Sequence, residues 1–176
     1  MAPASGSSDD RGAVCLAAME LRITGYDHPD AVTLTAAVQQ EYIARYGDID
    51  ITEMEAEHFA APHGVFVVGY LDGAAVACGG WRAKDGDHPF LRDGDAELKR
   101  MFVVPQVRGR GLARVLLRHL EGSAAAAGRR RLVLETGTEQ PEAVALYQSE
   151  GYLPITKFGV YREAPECICL GKELGA

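Results

Sequence analysis

The chain has 176 residues, 47% of them hydrophobic, with 18 Lys+Arg against 25 Asp+Glu and a formal net charge of -7. That length fits one domain whose core needs no metal or disulfide staple. The acidic balance argues against a general nucleic-acid binder, which draws on a broad basic surface, and no run approaches the ~18 unbroken apolar residues that span a bilayer.

Residues 1–13 are small, polar and acidic, without the positive start and apolar stretch of a signal peptide. They read as a disordered leader before a single domain over 14–176, with the cytoplasm as the expected setting. Cys15, Cys78, Cys167 and Cys169 are then expected to be reduced. Cys78 reads as a small core residue in an apolar strand. Cys167 and Cys169 share a strand face, but no second close pair accompanies them; Cys-x-Cys alone is a poor zinc signal, and no metal is expected.

In chain order, Leu21–Ile23 reads as a first strand, with the apolar run from Val14 as its potential start. Asp30 is placed to cap a helix to about Tyr46, with Leu34, Ala37, Ile43 and Tyr46 on one side and Gly47 as its stop. A shorter helix is expected over Thr52–Phe59. Val65–Leu71 and Ala75–Trp81 flank Asp72-Gly73, a pairing that favours the tight primed turns of hairpins. After a charged loop over Lys84–Asp95, a strand runs from Ala96 to Val104 and ends at Pro105. A helix follows over Leu112–Glu121, extended by the Ala124–Ala127 run, with an apolar face of Leu112, Val115, Leu116 and Leu120 and a basic stripe of Arg110, Arg114 and Arg118. Arg131–Thr136 is a strand, and Pro141 opens a helix to Glu150 with Ala145 and Leu146 inward. Two closing strands are expected at Ile155–Tyr161 and Glu166–Leu170. This order implies an α/β (α+β) fold, one mixed twisted sheet flanked by helices, without internal repeats.

The most informative passage is Gln106-Val107-Arg108-Gly109-Arg110-Gly111, between a strand and an amphipathic helix. Its glycines permit close backbone approach to a ligand. The helix start behind them offers unpaired amide hydrogens and the positive end of a dipole, a setting for phosphate oxygens. Arg108 and Arg110 add potential charge-assisted hydrogen bonds to the same anion. The pattern is neither a Walker A loop nor a Rossmann fingerprint, since Arg114 stands where the latter has its third glycine. A plain loop capping a solvated basic helix would have the same residues.

This hexapeptide resembles the Gln/Arg-x-x-Gly-x-Gly/Ala signature of the GCN5-related N-acetyltransferases. The likeness covers about residues 14–174 and takes in Glu97–Val103, the Asp72-Gly73 hairpin and Leu146–Tyr152. It implies the family's mixed sheet with four helices and acetyl-CoA as cosubstrate. Met101, Phe102, Val103 and Val104 would follow the pantetheine arm, and Arg108, Gly109, Arg110, Gly111, Leu112 and Ala113 would hold the pyrophosphate. The thioester would lie where that strand splays from Leu132–Thr136. The acceptor implied is an amine of a small molecule or peptide. The family often forms dimers, so a homodimer is compatible with it.

By the same resemblance Tyr147 is the candidate general acid, since a phenol of pKa ~10 stays protonated at neutral pH and donates to sulfur. Packing alone would equally account for an aromatic on that helix. Glu97 is the candidate base, through a water or as a holder of the cationic acceptor; pairing with Lys99 or Arg100 is its structural alternative. Strand alternation puts Glu97, Lys99, Met101 and Val103 on one face and Leu98, Arg100, Phe102 and Val104 on the other. A backbone amide near Phe102 or Val103 is the expected oxyanion donor. Trp81, Tyr42 and Glu41 are candidates for lining the acceptor side, with plain packing or surface placement as the alternative. His58, His63 and His88 lack metal-ligand spacing, and no nucleophile triad is indicated, so transfer is expected to be direct. A coenzyme-binding regulatory domain without turnover, and transfer of a longer acyl group, are the alternatives.

Overall fold

The computed structural model describes residues 18–86 and 88–175; the expected leader, the apolar start at Val14 and Cys15 lie outside the described residues. The elements are β1 (Glu20–Thr24), α1 (Pro29–Tyr46), β2 (Gly64–Leu71), β3 (Ala74–Ala83), β4 (Asp95–Val103), α2 (Leu112–Ala126), β5 (Arg131–Gly137), α3 (Pro141–Ser149), β6 (Leu153–Pro154) and β7 (Cys167–Glu173). They form a seven-stranded sheet in the order β1-β2-β3-β4-β5-β7-β6. Only β4 and β5 run parallel, joined through α2 as the long crossover a parallel pair requires.

The β2–β3 hairpin follows from its turn. Asp72 and Gly73 take φ of 49° and 79°, the two positive values a type I′ turn demands, and the register closes at Leu71↔Ala74. β2 and β3 read as near-continuous apolar runs because both faces of the sheet are covered. On one face Leu116, Leu117 and Leu120 of α2 pack with Trp81, Leu132, Leu134, Tyr147 and Tyr152. On the other, Ala31, Leu34 and Val38 of α1 meet Phe59, Phe66 and Phe102. Complete burial of a Leu side chain contributes roughly 1.5–3 kcal/mol, so the two layers clamp the middle strands.

Several local expectations give way to tertiary contacts. His28, not Asp30, caps α1: its Nδ1 accepts from the Asp30 amide at 3.2 Å, Pro29 takes the first helical position, and the Asp30 carboxylate accepts instead from Tyr70 Oη. The buried stripe of α1 is Ala31, Leu34, Thr35 and Val38, while Ile43 and Tyr46 are exposed. Val115 on α2 and Ala145 on α3 also face outward. The helix expected over Thr52–Phe59 shrinks to one 3-10 turn at Ala56–Phe59. The preceding residues are held by side chains: Asp50 pairs with Arg100 at 2.6 Å, and the Glu53 carbonyl accepts from Arg82. The strand expected over Ile155–Tyr161 does not form; the two residues of β6 precede it. With the Thr52–Phe59 helix reduced, three α-helices and two 3-10 turns stand among the described residues where four helices were expected.

The alternation expected for β4 breaks in its middle. Between Cys78↔Phe102 and Gly80↔Lys99, β4 spends one residue more than β3, and Arg100 takes φ of 58°. This is a β-bulge. Before it Ala96 and Leu98 face α2; after it Met101 and Val103 do so, and Phe102 faces α1. Glu97 and Met101 therefore lie on opposite faces, contrary to simple period-two counting.

Candidate functional site

After β4, Pro105–Val107 form a 3-10 turn, and Gly109 and Gly111 follow with φ of 74° and 78°. Glycine takes that left-handed backbone without steric cost, so the chain turns sharply into α2. Gly111 is the N-cap and no side chain caps the first turn, which keeps those amide hydrogens and the dipole's positive end available. Arg108 behaves differently from the expectation of a free charge. Its Nε donates to the Val103 carbonyl at 2.7 Å and its Nη2 meets Glu41, so it buttresses the turn. Arg114 and Arg118 both pair with Glu150 at the end of α3. Among the described residues, only Arg110 of the expected basic stripe makes no ion pair.

β4 and β5 are paired only from Asp95↔Arg131 to Glu97↔Val133, and a bidentate Arg131–Asp95 pair clamps that end. Beyond it β4 carries the bulge and the two strands part. A cavity of about 550 Å³ lies along the parted edge, lined by Met101, Phe102, Val103, Arg108, Gly109, Gly111, Leu112, Ala113 and Tyr147. Val104 and Arg110 stand beside it, outside its lining. A second cavity of about 530 Å³ is lined by Tyr46, Asp50, Lys99, Glu135, Tyr161 and Cys167, among others. The two share Tyr42, Arg45 and Gln140, so they meet there.

A family model described as the acetyltransferase (GNAT) family matches residues 33–152. The chain belongs to the GNAT acetyltransferase family. It is 36% identical over 139 residues to an IAA acetyltransferase of Azospirillum brasilense, covering 76% of this chain and 87% of the relative. It is 31% identical to an uncharacterized N-acetyltransferase of Escherichia coli (strain K12), over 74% of this chain and 79% of that one. In three dimensions it resembles a Klebsiella pneumoniae protein described as an acyl-CoA N-acyltransferase, with a TM-score of 0.71, 26% identity, and coverage of 89% and 98%. A GNAT acetyltransferase of Elizabethkingia anophelis with acetyl-CoA bound shares the fold at a TM-score of 0.62 and 18% identity, with the same coverage.

For a GNAT chain, the first cavity fits an acyl-coenzyme A in its chemistry. The uncapped amides behind two left-handed glycines suit a diphosphate, and a strand edge released from its neighbour offers backbone groups to an amide-bearing arm. Tyr147 reaches this cavity from α3, where burial pushes its phenol above the usual range. Its hydroxyl makes no hydrogen bond to another described residue, and its ring packs 5.5 Å from that of Tyr152.

Glu97 is elsewhere. It is 2% exposed and lines neither cavity. Arg82 grips its Oε2 through Nε and Nη2, both at 2.8 Å, and Lys99 and Lys84 stand at 3.5 and 3.9 Å. This is the pairing expected of its structural alternative, made with Arg82 and Lys99 rather than Arg100. Trp81, too, is core, its indole N–H donating to Ser123 at 2.8 Å.

The residue that inspection of the sequence missed is Glu135 on β5. Its carboxyl lines the second cavity, and burial pushes it up to about 7, with Lys99 pulling it down and Glu97 and Asp50 pushing it up. Gly159, at φ 79°, brings its backbone so close that a Cβ there would strike both Glu135 carboxylate oxygens. The only sequence signal was an acid in an otherwise apolar strand, Leu132-Val133-Leu134-Glu135.

Proposed function

We propose that this GNAT chain is an N-acetyltransferase that moves acetyl from acetyl-CoA directly to an amine of a small molecule or peptide. The reading rests on one observation: two cavities meet at Tyr42, Arg45 and Gln140, one lined by the glycine turn and the parted strand, the other by a half-buried carboxylate. Holding both reactants in one geometry supplies much of such a reaction's rate.

In this reading the amides of Gly111, Leu112 and Ala113 hold the diphosphate, and the Met101–Val104 edge orients the arm. The amine enters the second cavity, where Glu135 holds it and accepts its proton, directly or through a water. An amide of Phe102 or Val103 steadies the charge that grows on the carbonyl oxygen. Tyr147 gives its proton to the departing sulfur, a role suited to a phenol that burial keeps protonated. Glu97 acts one step back, holding Arg82 and Lys99 beneath β4.

An acceptor screen tests this directly. Purified protein and acetyl-CoA are mixed with pools of amines while free thiol is followed. Acceptor-dependent thiol release, with an acetylated amine found by mass spectrometry, is the expected result. Tight acetyl-CoA binding without release for any amine class would instead identify a binding domain.

A further inference from the structure

Glu135, Cys167 and Cys169 bring one ligand atom each to within 4.8 Å of one another, the one group of its kind among the described residues. The cause is register. β5 and β7 pair antiparallel with Glu135↔Cys169 and Gly137↔Cys167, so the two thiols of one strand face and a carboxylate of the neighbouring strand share a corner of the second cavity. Cys167 and Glu135 line that cavity and Cys169 lies behind them.

We propose that these three side chains form a site for a thiophilic divalent cation such as Zn²⁺, with two sulfurs and one oxygen as ligands and a fourth position open to the cavity. Two sulfurs each ~2.3 Å from a tetrahedral zinc stand ~3.8 Å apart, and the two Sγ atoms are 3.8 Å apart. The ideal sulfur–oxygen edge of the same tetrahedron is ~3.5 Å, and Cys167 Sγ lies 4.0 Å from Glu135 Oε1; a small side-chain rotation closes the difference. A backbone hydrogen bond from Tyr161 and the close approach of Gly159 limit where the Glu135 carboxylate can go.

Charge agrees with the geometry. Two thiolates and a carboxylate outweigh one Zn²⁺ by a single negative charge, and the positive charge of Lys157 acts on Cys167, as does that of Lys99, which also serves Glu97 and Asp50. Binding releases the thiol protons to solvent. Three protein ligands and one open position is the arrangement of an accessible rather than a closed structural zinc site. An ion there would occupy Glu135, so the site would also close the acceptor cavity; that consequence, unlike the binding itself, rests on the function proposed above.

The test uses the full chain, reduced and stripped with a chelator, then titrated with Cd²⁺ while the sulfur-to-cadmium charge-transfer band is followed, and with Zn²⁺ by calorimetry. One ion per chain is expected. Cys167→Ser, Cys169→Ser and Glu135→Gln should each raise the dissociation constant at least about tenfold, as even outer partners of metal sites do; Cys78→Ala, whose thiol lies in the core on the α1 face, should leave it unchanged. Circular dichroism and acetyl-CoA binding establish that each variant is folded. No stoichiometric band in the reduced chain, or a band that persists in the Cys167→Ser/Cys169→Ser double variant, overturns the site. With an acceptor in hand, Zn²⁺ should inhibit competitively against the amine and not against acetyl-CoA. Binding without such competition would leave the metal site standing and remove the acceptor from this cavity.

Discussion

Cys78 Sγ lies 3.4 Å from the carbonyl oxygen of Arg100, directly across the bulge that divides β4. The contact marks where the β3–β4 ladder slips, and everything the first cavity needs from β4 lies beyond it. Without the extra residue, Met101 and Val103 would turn to the α1 face. Arg100, the residue with the left-handed backbone, sends its guanidinium to Asp50 at 2.6 Å.

Asp50 should therefore matter for stability in a pH-dependent way. Burial raises its carboxyl, but Lys99 and Arg100 outweigh this and leave it below the usual value. A folded-state pKa below the unfolded one contributes stability that is fully present above about pH 4 and is lost as pH falls through the folded value. Asp50→Asn should cost about 3–5 kcal/mol at pH 7, the range for breaking a buried pair. Urea denaturation should show the gap between variant and parent narrowing steadily below pH 4; a constant gap would rule out the ion pair as its source.

Tyr147→Phe should lower kcat roughly 10- to 100-fold with acetyl-CoA affinity nearly intact, as loss of a general acid does. Unchanged kcat with the best acceptor would reduce Tyr147 to packing.

Gly109→Val should weaken acetyl-CoA binding. No protein atom lies within 4 Å of a Cβ at Gly109, but its φ of 74° disfavours any side chain, at ~1–2 kcal/mol for a left-handed residue. The turn relaxes and its amides lose their aim. Calorimetric titration of a folded variant reads the effect, and an unaltered dissociation constant would refute the turn's role.

Glu97→Gln and Glu135→Gln should separate structure from chemistry. The first leaves Arg82 and Lys99 short of a buried partner, so its melting temperature should drop, with a loss of about 3–5 kcal/mol. The second should fold normally and lose roughly 100-fold or more in kcat/KM for the amine. Stability and kinetics measured side by side decide the pair; the opposite pattern would return the base role to Glu97.

The sequence by itself determined the frame of this protein. Asp72-Gly73 favours a tight turn between two apolar runs, and Gly109-x-Gly111 before Leu112 permits the left-handed backbone found ahead of the helix. Both are local: neighbouring residues and torsional sterics set them. What required the tertiary structure was each property shared between strands. One bulged residue reversed the facing of Met101, a register brought Glu135 beside Cys167 and Cys169, and Arg82 from β3 came to pair with Glu97. Side-chain facing in a sheet has period two, so a single residue gained in one ladder exchanges the faces of all that follow, and no count along one strand reveals it.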